Sequence, residues 1–284
     1  KLMRLRHHAS ASFGIYTGGK SLLVEVKNLD ISYTDTPEPL VKNVSLSLDK
    51  GEVLTIVGES GSGKTTVIRA ILGVLSGTGY ISNGSIHFAG QDLTHLSNQE
   101  WLKLRGKNIS MIFQDCGNMM NPVQTIGHQY IEYIQTHADK SKEEAKAMAL
   151  EVLTRMNLPD PENIMNSYIF ELSGGMRQRV GIAMAITFHP QLLLADEPTS
   201  ALDVTTQAQI VKELSSIVKQ SGTAMIMVTH NIGVAAYMSD KIMVMSQGQV
   251  RDYGPAEQVI NHPTDDYTRH LLSSVPELGG ERYV

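Results

Sequence analysis

The segment Gly58-Glu59-Ser60-Gly61-Ser62-Gly63-Lys64-Thr65 carries the G-x-x-x-x-G-K-[ST] spacing of a phosphate-binding loop. Its glycines allow backbone N–H groups to turn inward around phosphate oxygens, and the N-terminus of the helix that follows adds its dipole. Lys64 can reach β- and γ-phosphates, Thr65 can ligate Mg²⁺, and Thr66 follows in the same turn. A glycine-rich turn that binds nothing is the alternative, but Val53–Val57 reads as a strand before the loop and Thr65–Leu75 as a helix after it. A second signal is Leu192-Leu193-Leu194-Ala195-Asp196-Glu197. Four apolar residues form a buried strand, and two carboxylates emerge at its C-terminal end, where α/β sheets place ligands. Asp196 is suited to hold Mg²⁺ directly or through water, and Glu197 to act on an attacking water as general base. A solvent-facing acidic strand end is the alternative, and it weakens beside a phosphate loop. Leu172-Ser173-Gly174-Gly175-Met176, taken alone, is a helix start with a serine cap.

The order of these signals changes their weight. Phosphate loop, Gln114, Leu-Ser-Gly-Gly-Met, apolar strand with Asp-Glu, Ser200-Ala201-Leu202-Asp203 and then His230 after a strand together resemble the ABC ATPase family. The resemblance spans roughly residues 22–272. It implies an α/β fold: a RecA-like P-loop ATPase core with an antiparallel β portion and a helical subdomain. It implies ATP and Mg²⁺ as ligands. It also implies that Ser173, Gly174 and Gly175 bind the γ-phosphate of ATP held by an opposite subunit, so that two ATP molecules are sandwiched head to tail. By the same resemblance Tyr33 stacks on adenine, although a plain strand tyrosine is the alternative. Gln114 senses Mg²⁺ and couples to the membrane subunit, Asp203 contacts the dimer partner, and His230 contacts the γ-phosphate.

Finer features are similar to the dipeptide, oligopeptide and nickel importer branch. They are Phe113-Gln114-Asp115, Asn121-Pro122, Thr125-Ile126-Gly127, the methionine at 176, and Tyr267-Thr268-Arg269-His270-Leu271-Leu272 after His262-Pro263. The branch usually has His-Pro before its tail Tyr-Thr, where this chain has Asp265-Asp266. Longer members continue into a cysteine-rich segment with an iron–sulfur cluster; no cysteine follows residue 262 here, and no cluster is expected. That ending leans the cargo towards nickel or a metal chelate rather than di- or oligopeptides. The resemblance implies a paralogous ATPase subunit as partner (a heterodimer, with a homodimer as the alternative). It further implies two transmembrane permease subunits, an extracytoplasmic solute-binding protein, and a peripheral position on the cytoplasmic face of the inner membrane. An exporter ATPase and a soluble non-transport ABC ATPase are the alternatives. The second would need long coiled-coil insertions or two cassettes in one chain, and neither is present.

Alternating or continuous apolar runs at Leu22–Val26, Leu40–Leu48, Val53–Val57, Gly84–Phe88, Ile109–Phe113, Leu192–Ala195, Ala224–Thr229 and Lys241–Met245 predict strands. Helical periodicity covers Ile126–Thr136, Lys142–Met156 and Thr205–Gln220, and Ser173 caps a helix running towards His189. Gln247-Gly248-Gln249 reads as a hairpin turn. Strands alternating with helices indicate a largely parallel sheet covered on both faces. The expected organisation is an ATPase domain over 21–262, with a helical subdomain at about 115–172 inserted, and a tail over 263–284. Residues 1–20 carry Arg4, Arg6, His7 and His8 with no sustained apolar core, so they read as a leader or a disordered tail rather than a targeting segment. The net charge of -5 gives no footprint for nucleic acid, and a single cysteine excludes a disulfide framework within the chain. No apolar run approaches the roughly 20 residues that span a bilayer.

Overall fold

The structure is a computed structural model. It describes residues 22–273, with the backbone of 277–278 and 281–282. The leader expected over 1–20, and much of the tail that suggested nickel, lie outside the described residues. The chain opens with β1 (Leu22–Tyr33), β2 (Val41–Asp49) and β3 (Val53–Val57), then α1 (Lys64–Leu72). Next come β4 (Gly79–Phe88), β5 (Gln91–Asp92), α2 (Asn98–Leu104) and β6 (Ile109–Ile112). Four helices follow: α3 (Ile126–His137), α4 (Lys142–Arg155), α5 (Pro161–Asn166) and α6 (Gly174–Ile186). The second half alternates β7 (Leu192–Asp196), α7 (Val204–Ser221), β8 (Ala224–Thr229), α8 (Ile232–Met238) and β9 (Lys241–Ser246). β10 (Gln249–Pro255), α9 (Ala256–Asn261) and α10 (Asp266–Ser273) follow, and the short strands β11 (Glu277–Leu278) and β12 (Glu281–Arg282) come last among the described residues.

Two sheets result. β2-β1-β4-β5 is antiparallel, and β10-β9-β3-β8-β7-β6 is parallel except for its β10 edge. Every residue of β3, β7 and β8 is buried, as the continuous apolar runs require of strands covered on both faces. The strand period of two sorts most of their side chains into two cores, and Val57 joins a third with Ile242 and Val244. Leu54, Ile56, Leu192, Leu194, Ile226 and Val228 join α1 and the antiparallel sheet. Leu193, Ala195, Met225 and Met227 join the helical side with Tyr130, Ile134, Val180 and Leu214.

The expected strands and helices are present, with three differences in extent. β1 continues seven residues past Val26, and β4 begins at Gly79 rather than Gly84. Both departures come from one pair of facing bulges. Asn28 sits at φ 47° and Gly84 at φ 89°, and a Cβ on Gly84 would lie 2.4 Å from the Lys27 carbonyl oxygen. A bulge interrupts the apolar alternation without ending the strand. The helix expected to reach Leu75 stops at Leu72, because Gly73 adopts the left-handed conformation (φ 69°) and closes it. Five further helices, α2, α5, α8, α9 and α10, are not marked by long periodicity, and α2 is set by the capping box of Ser97 and Glu100.

The helices after β6 are joined to α6 by a buried polar pair. The Tyr130 hydroxyl lies 2.8 Å from Thr187 Oγ1, and Thr187 donates its own proton to the Ala183 carbonyl at 2.8 Å. Tyr130 is therefore the donor. Tyr130→Phe keeps the ring and removes that bond. It is expected to cost about 1 kcal/mol, a fall of about 2–4 °C in melting temperature for a chain this size, measured by calorimetry.

Candidate active site

β3 delivers the chain to Gly58, where φ is 150° and a Cβ would lie 2.0 Å from the Met245 carbonyl oxygen of β9. Only glycine passes this point. Gly61 (φ 79°) and Gly63 (φ 97°, the cap of α1) continue the turn. Lys64 is 5 % exposed. Its Nζ donates to the Gly58 carbonyl at 2.7 Å and to the Glu59 carbonyl at 2.6 Å, with Ser62 Oγ at 3.4 Å. Burial pushes the Lys64 pKa down, opposed by the carboxylates of Glu197 and Asp196.

Thr65 donates its hydroxyl to Asp196 Oδ1 at 2.8 Å. Its proton is committed there, so its oxygen lone pairs are left for a cation. Burial raises the Asp196 pKa, despite the Thr65 hydroxyl and the nearby Arg69. Among the described residues no three His, Cys, Asp or Glu side chains converge into a metal cage. The donors at hand are a hydroxyl, a carboxylate and the Gln114 amide. That set suits Mg²⁺, which is typically held by few carboxylates and completes its shell with water and phosphate oxygens.

Glu197 has left-handed backbone (φ 43°), which is uncommon for a residue with a side chain. Its N–H donates to the Val228 carbonyl at 2.9 Å, and its own carbonyl accepts from the Ser200 amide at 3.2 Å. Its Oε2 lies 3.1 Å from His230 Nδ1. Ser60, Gly61, Gly63, Lys64, Thr65, Thr66, Gln114, Glu197 and His230 line one cleft of about 460 Å³. Sequence reasoning had placed all of them together. Gly58, Ser62 and Asp196 stand just behind that lining.

Five of the expected residues lie elsewhere. Ser173 caps α6 and accepts from the Met176 amide at 3.4 Å. A Cβ on Gly175 would lie 2.8 Å from Thr206 Cγ2, so this segment packs closely on the start of α7. Asp203 caps α7, accepting from the Thr206 amide (3.0 Å) and hydroxyl (2.7 Å), which hold its carboxyl below the usual range. Ser173, Gly174, Gly175 and Asp203 therefore form a second cluster that does not line the cleft. Tyr33, the last residue of β1, also does not line it; its ring packs over Gly79.

Two residues were not anticipated. Leu40 lines the cleft although it is apolar and exposed. Gly248 reaches the back of the phosphate loop, its N–H donating to the Ser62 carbonyl at 3.1 Å and its carbonyl accepting from the Lys42 amide at 2.8 Å. The sequence marked Gly248 as a turn residue, but no local pattern says which loop a turn touches.

Folding raises the Asp196 pKa, so its ionised form opposes folding, and that penalty grows as pH rises through the raised value. Asp196→Asn removes the charge. Without nucleotide, the variant is expected to melt above the parent at pH 8, with the margin vanishing as pH falls below the ordinary carboxylate range. With Mg·ATP present the order reverses, because metal-dependent binding is weakened. Thermal scans across pH, with and without Mg·ATP, check both signs.

Residues 41–200 match the family model described as ABC transporter. The chain is 41% identical over 269 residues to the oligopeptide transport ATP-binding protein AmiE of Streptococcus pneumoniae, covering 94% of this chain and 76% of that protein. It is 44% identical over 261 residues to the oligopeptide transport ATP-binding protein OppD of Haemophilus influenzae, covering 91% and 80%. Among solved structures it resembles a dimeric post-hydrolysis state of the ATP-binding cassette MJ0796 bound to ADP and Pi. The TM-score is 0.73 at 30% identity, over 82% of this chain and 99% of that one. The fold is thus the ABC ATPase fold, and the chain belongs to the ABC transporter family as one of its ATP-binding, ATP-hydrolysing subunits.

Proposed function

We propose that this chain hydrolyses ATP to energise uptake of oligopeptides or dipeptides through separate membrane subunits. The observation that carries the catalytic part is the division of labour between adjacent carboxylates. Asp196 is turned to Thr65 on α1, whereas Glu197 is turned to the cleft and His230. The phosphate loop's backbone amides and Lys64 bind and orient the phosphates. Thr65, Gln114 and Asp196 would hold Mg²⁺, which neutralises charge on the phosphate oxygens. Glu197 takes a proton from the water that attacks the γ-phosphorus. His230 holds that carboxylate in place through Nδ1, which leaves Nε2 for a second partner.

The cluster of Ser173, Gly174, Gly175 and Asp203 supports a head-to-tail partnership. A capped helix start is an anion site, and this one faces no phosphate of its own chain. A second ATPase subunit, paralogous or identical, supplies the nucleotide it binds. The solved dimeric cassette supports the same reading. Among the described residues no helix is long and apolar enough to cross a membrane. We assign the passage to two permease subunits, fed by an extracytoplasmic solute-binding protein, with this chain at the cytoplasmic face of the inner membrane. Peptide is preferred over nickel as cargo because both relatives above are named for oligopeptides. The leaning to nickel rested on the tail alone.

Glu197→Gln keeps shape and hydrogen-bonding capacity but removes the basic carboxylate. Its single-turnover hydrolysis is expected to fall by about 10²–10⁴-fold while Mg·ATP affinity stays near the parent's. A normal hydrolysis rate in this chain's own site would show that Glu197 is not the base.

Without nucleotide the two half-sites lack their anionic bridge, so scattering should report monomers. Mg·ATP should shift Glu197→Gln towards dimers, either alone or on addition of the paralogous subunit. A closed dimer in nucleotide-free solution contradicts this.

A further inference from the structure

We infer that Tyr267, on the C-terminal helix α10, is a positioning residue for the phosphate loop. The Glu59 N–H donates to the Tyr267 hydroxyl at 3.2 Å. The same peptide group carries the Gly58 carbonyl, which accepts from Lys64 Nζ at 2.7 Å. One peptide unit is therefore held at both ends, by the tail tyrosine on its N–H and by the loop lysine on its oxygen. Rotation of that unit would move an oxygen away from Lys64 and change where the ammonium sits. The Tyr267 ring packs on a cluster containing Val57, Ile242 and Val244, so the side chain joins the core around the end of β3 to the second residue of the loop.

Tyr267 is itself fixed by a relay from β10. Asp252, 8 % exposed, accepts from the amides of Thr264 (3.3 Å) and Asp265 (3.1 Å) and from the Thr264 hydroxyl. Asp265 in turn accepts from the Tyr267 amide at 2.8 Å. The Asp265 that replaces the branch's usual residue ahead of the tail is thus a working part of the relay. The chain of contacts runs from the sheet edge through the tail to the nucleotide loop, and it makes order in the tail a condition for tight phosphate binding.

The inference rests on reading residues 58–65 as the phosphate loop, and the test separates the two. Mg·ATP and Mg·ADP are titrated into the purified full chain by calorimetry, beside melting temperatures and the KM and kcat of basal hydrolysis. Tyr267→Phe keeps the ring packing and loses only the hydroxyl. It is expected to weaken both nucleotides about three- to tenfold, the worth of one hydrogen bond. KM should rise by a similar factor with kcat unchanged, and the melting temperature should stay within about 2 °C of the parent. Tyr267→Leu should show the same affinity loss plus a loss of stability. If Tyr267→Phe binds as the parent does while Lys64→Ala abolishes binding, the positioning role is wrong. It is equally wrong if the affinity loss in Tyr267→Phe comes with a matching fall in stability or in kcat. If Lys64→Ala leaves affinity unchanged, the phosphate-loop reading fails first.

Discussion

An ammonium group as buried as that of Lys64 survives only where oxygen atoms replace its water. The chain meets this demand by folding the carbonyls of Gly58 and Glu59 back onto Nζ. Much else follows. The loop must reverse directly after β3, which forces glycine at 58 and brings the loop against Met245 of β9. The charge must also be balanced nearby, and the acidic end of β7 does so. Strand register brings those ends level: Val57 pairs with Thr229 of β8, and Asp196 pairs with Val228 beside it. A slip of one residue in either pairing would separate lysine from carboxylates and turn the apolar runs to the wrong cores.

Strand parity explains how two adjacent acids acquire different surroundings. Leu192 and Leu194 face the core that contains α1, and Asp196 continues their side to meet Thr65. Parity alone would send Glu197 with Leu193 and Ala195 into the helical core. The left-handed backbone at Glu197 re-aims it into the cleft instead. A strained residue at the end of a fully buried strand is sustainable because Val228 holds its amide and Ser200 its carbonyl.

The sheet core and the cleft were readable in the sequence because both depend on contiguous residues: apolar runs for β3, β7 and β8, and a fixed spacing for residues 58–65. What was missed was either weakly patterned or non-local. The bulges at Asn28 and Gly84 broke the period by which β1 and β4 are recognised. The short helices α2, α5, α8, α9 and α10 are too brief for periodicity, and their signals are local caps: the Ser97–Glu100 capping box for α2, and Asp160 followed by Pro161 for α5, where Asp160 accepts from the Asn163 amide. Leu40, Gly248 and Tyr267 approach the phosphate loop from distant parts of the chain, so no local spacing could connect them to it. The separation of Ser173 and Asp203 from the cleft is likewise a tertiary fact, although the family resemblance already implied that Ser173 serves another subunit's nucleotide and that Asp203 contacts that subunit.

The two-residue turn between β9 and β10 has both central residues at positive φ, Gln247 at 51° and Gly248 at 74°, the type I′ geometry of a tight hairpin. Hairpin tips are usually where a protein best accepts inserted sequence, because they project into solvent and touch nothing else. This one is the opposite. Gly248 is buried, its amide and carbonyl are engaged by Ser62 and Lys42, and a Cβ on it would lie 2.0 Å from the Leu40 carbonyl oxygen. The turn works as a keystone between the antiparallel sheet and the phosphate loop. For anyone grafting a tag, a reporter or a new chain terminus into this protein, the hairpin that looks most permissive on paper is among the sites least able to accept one.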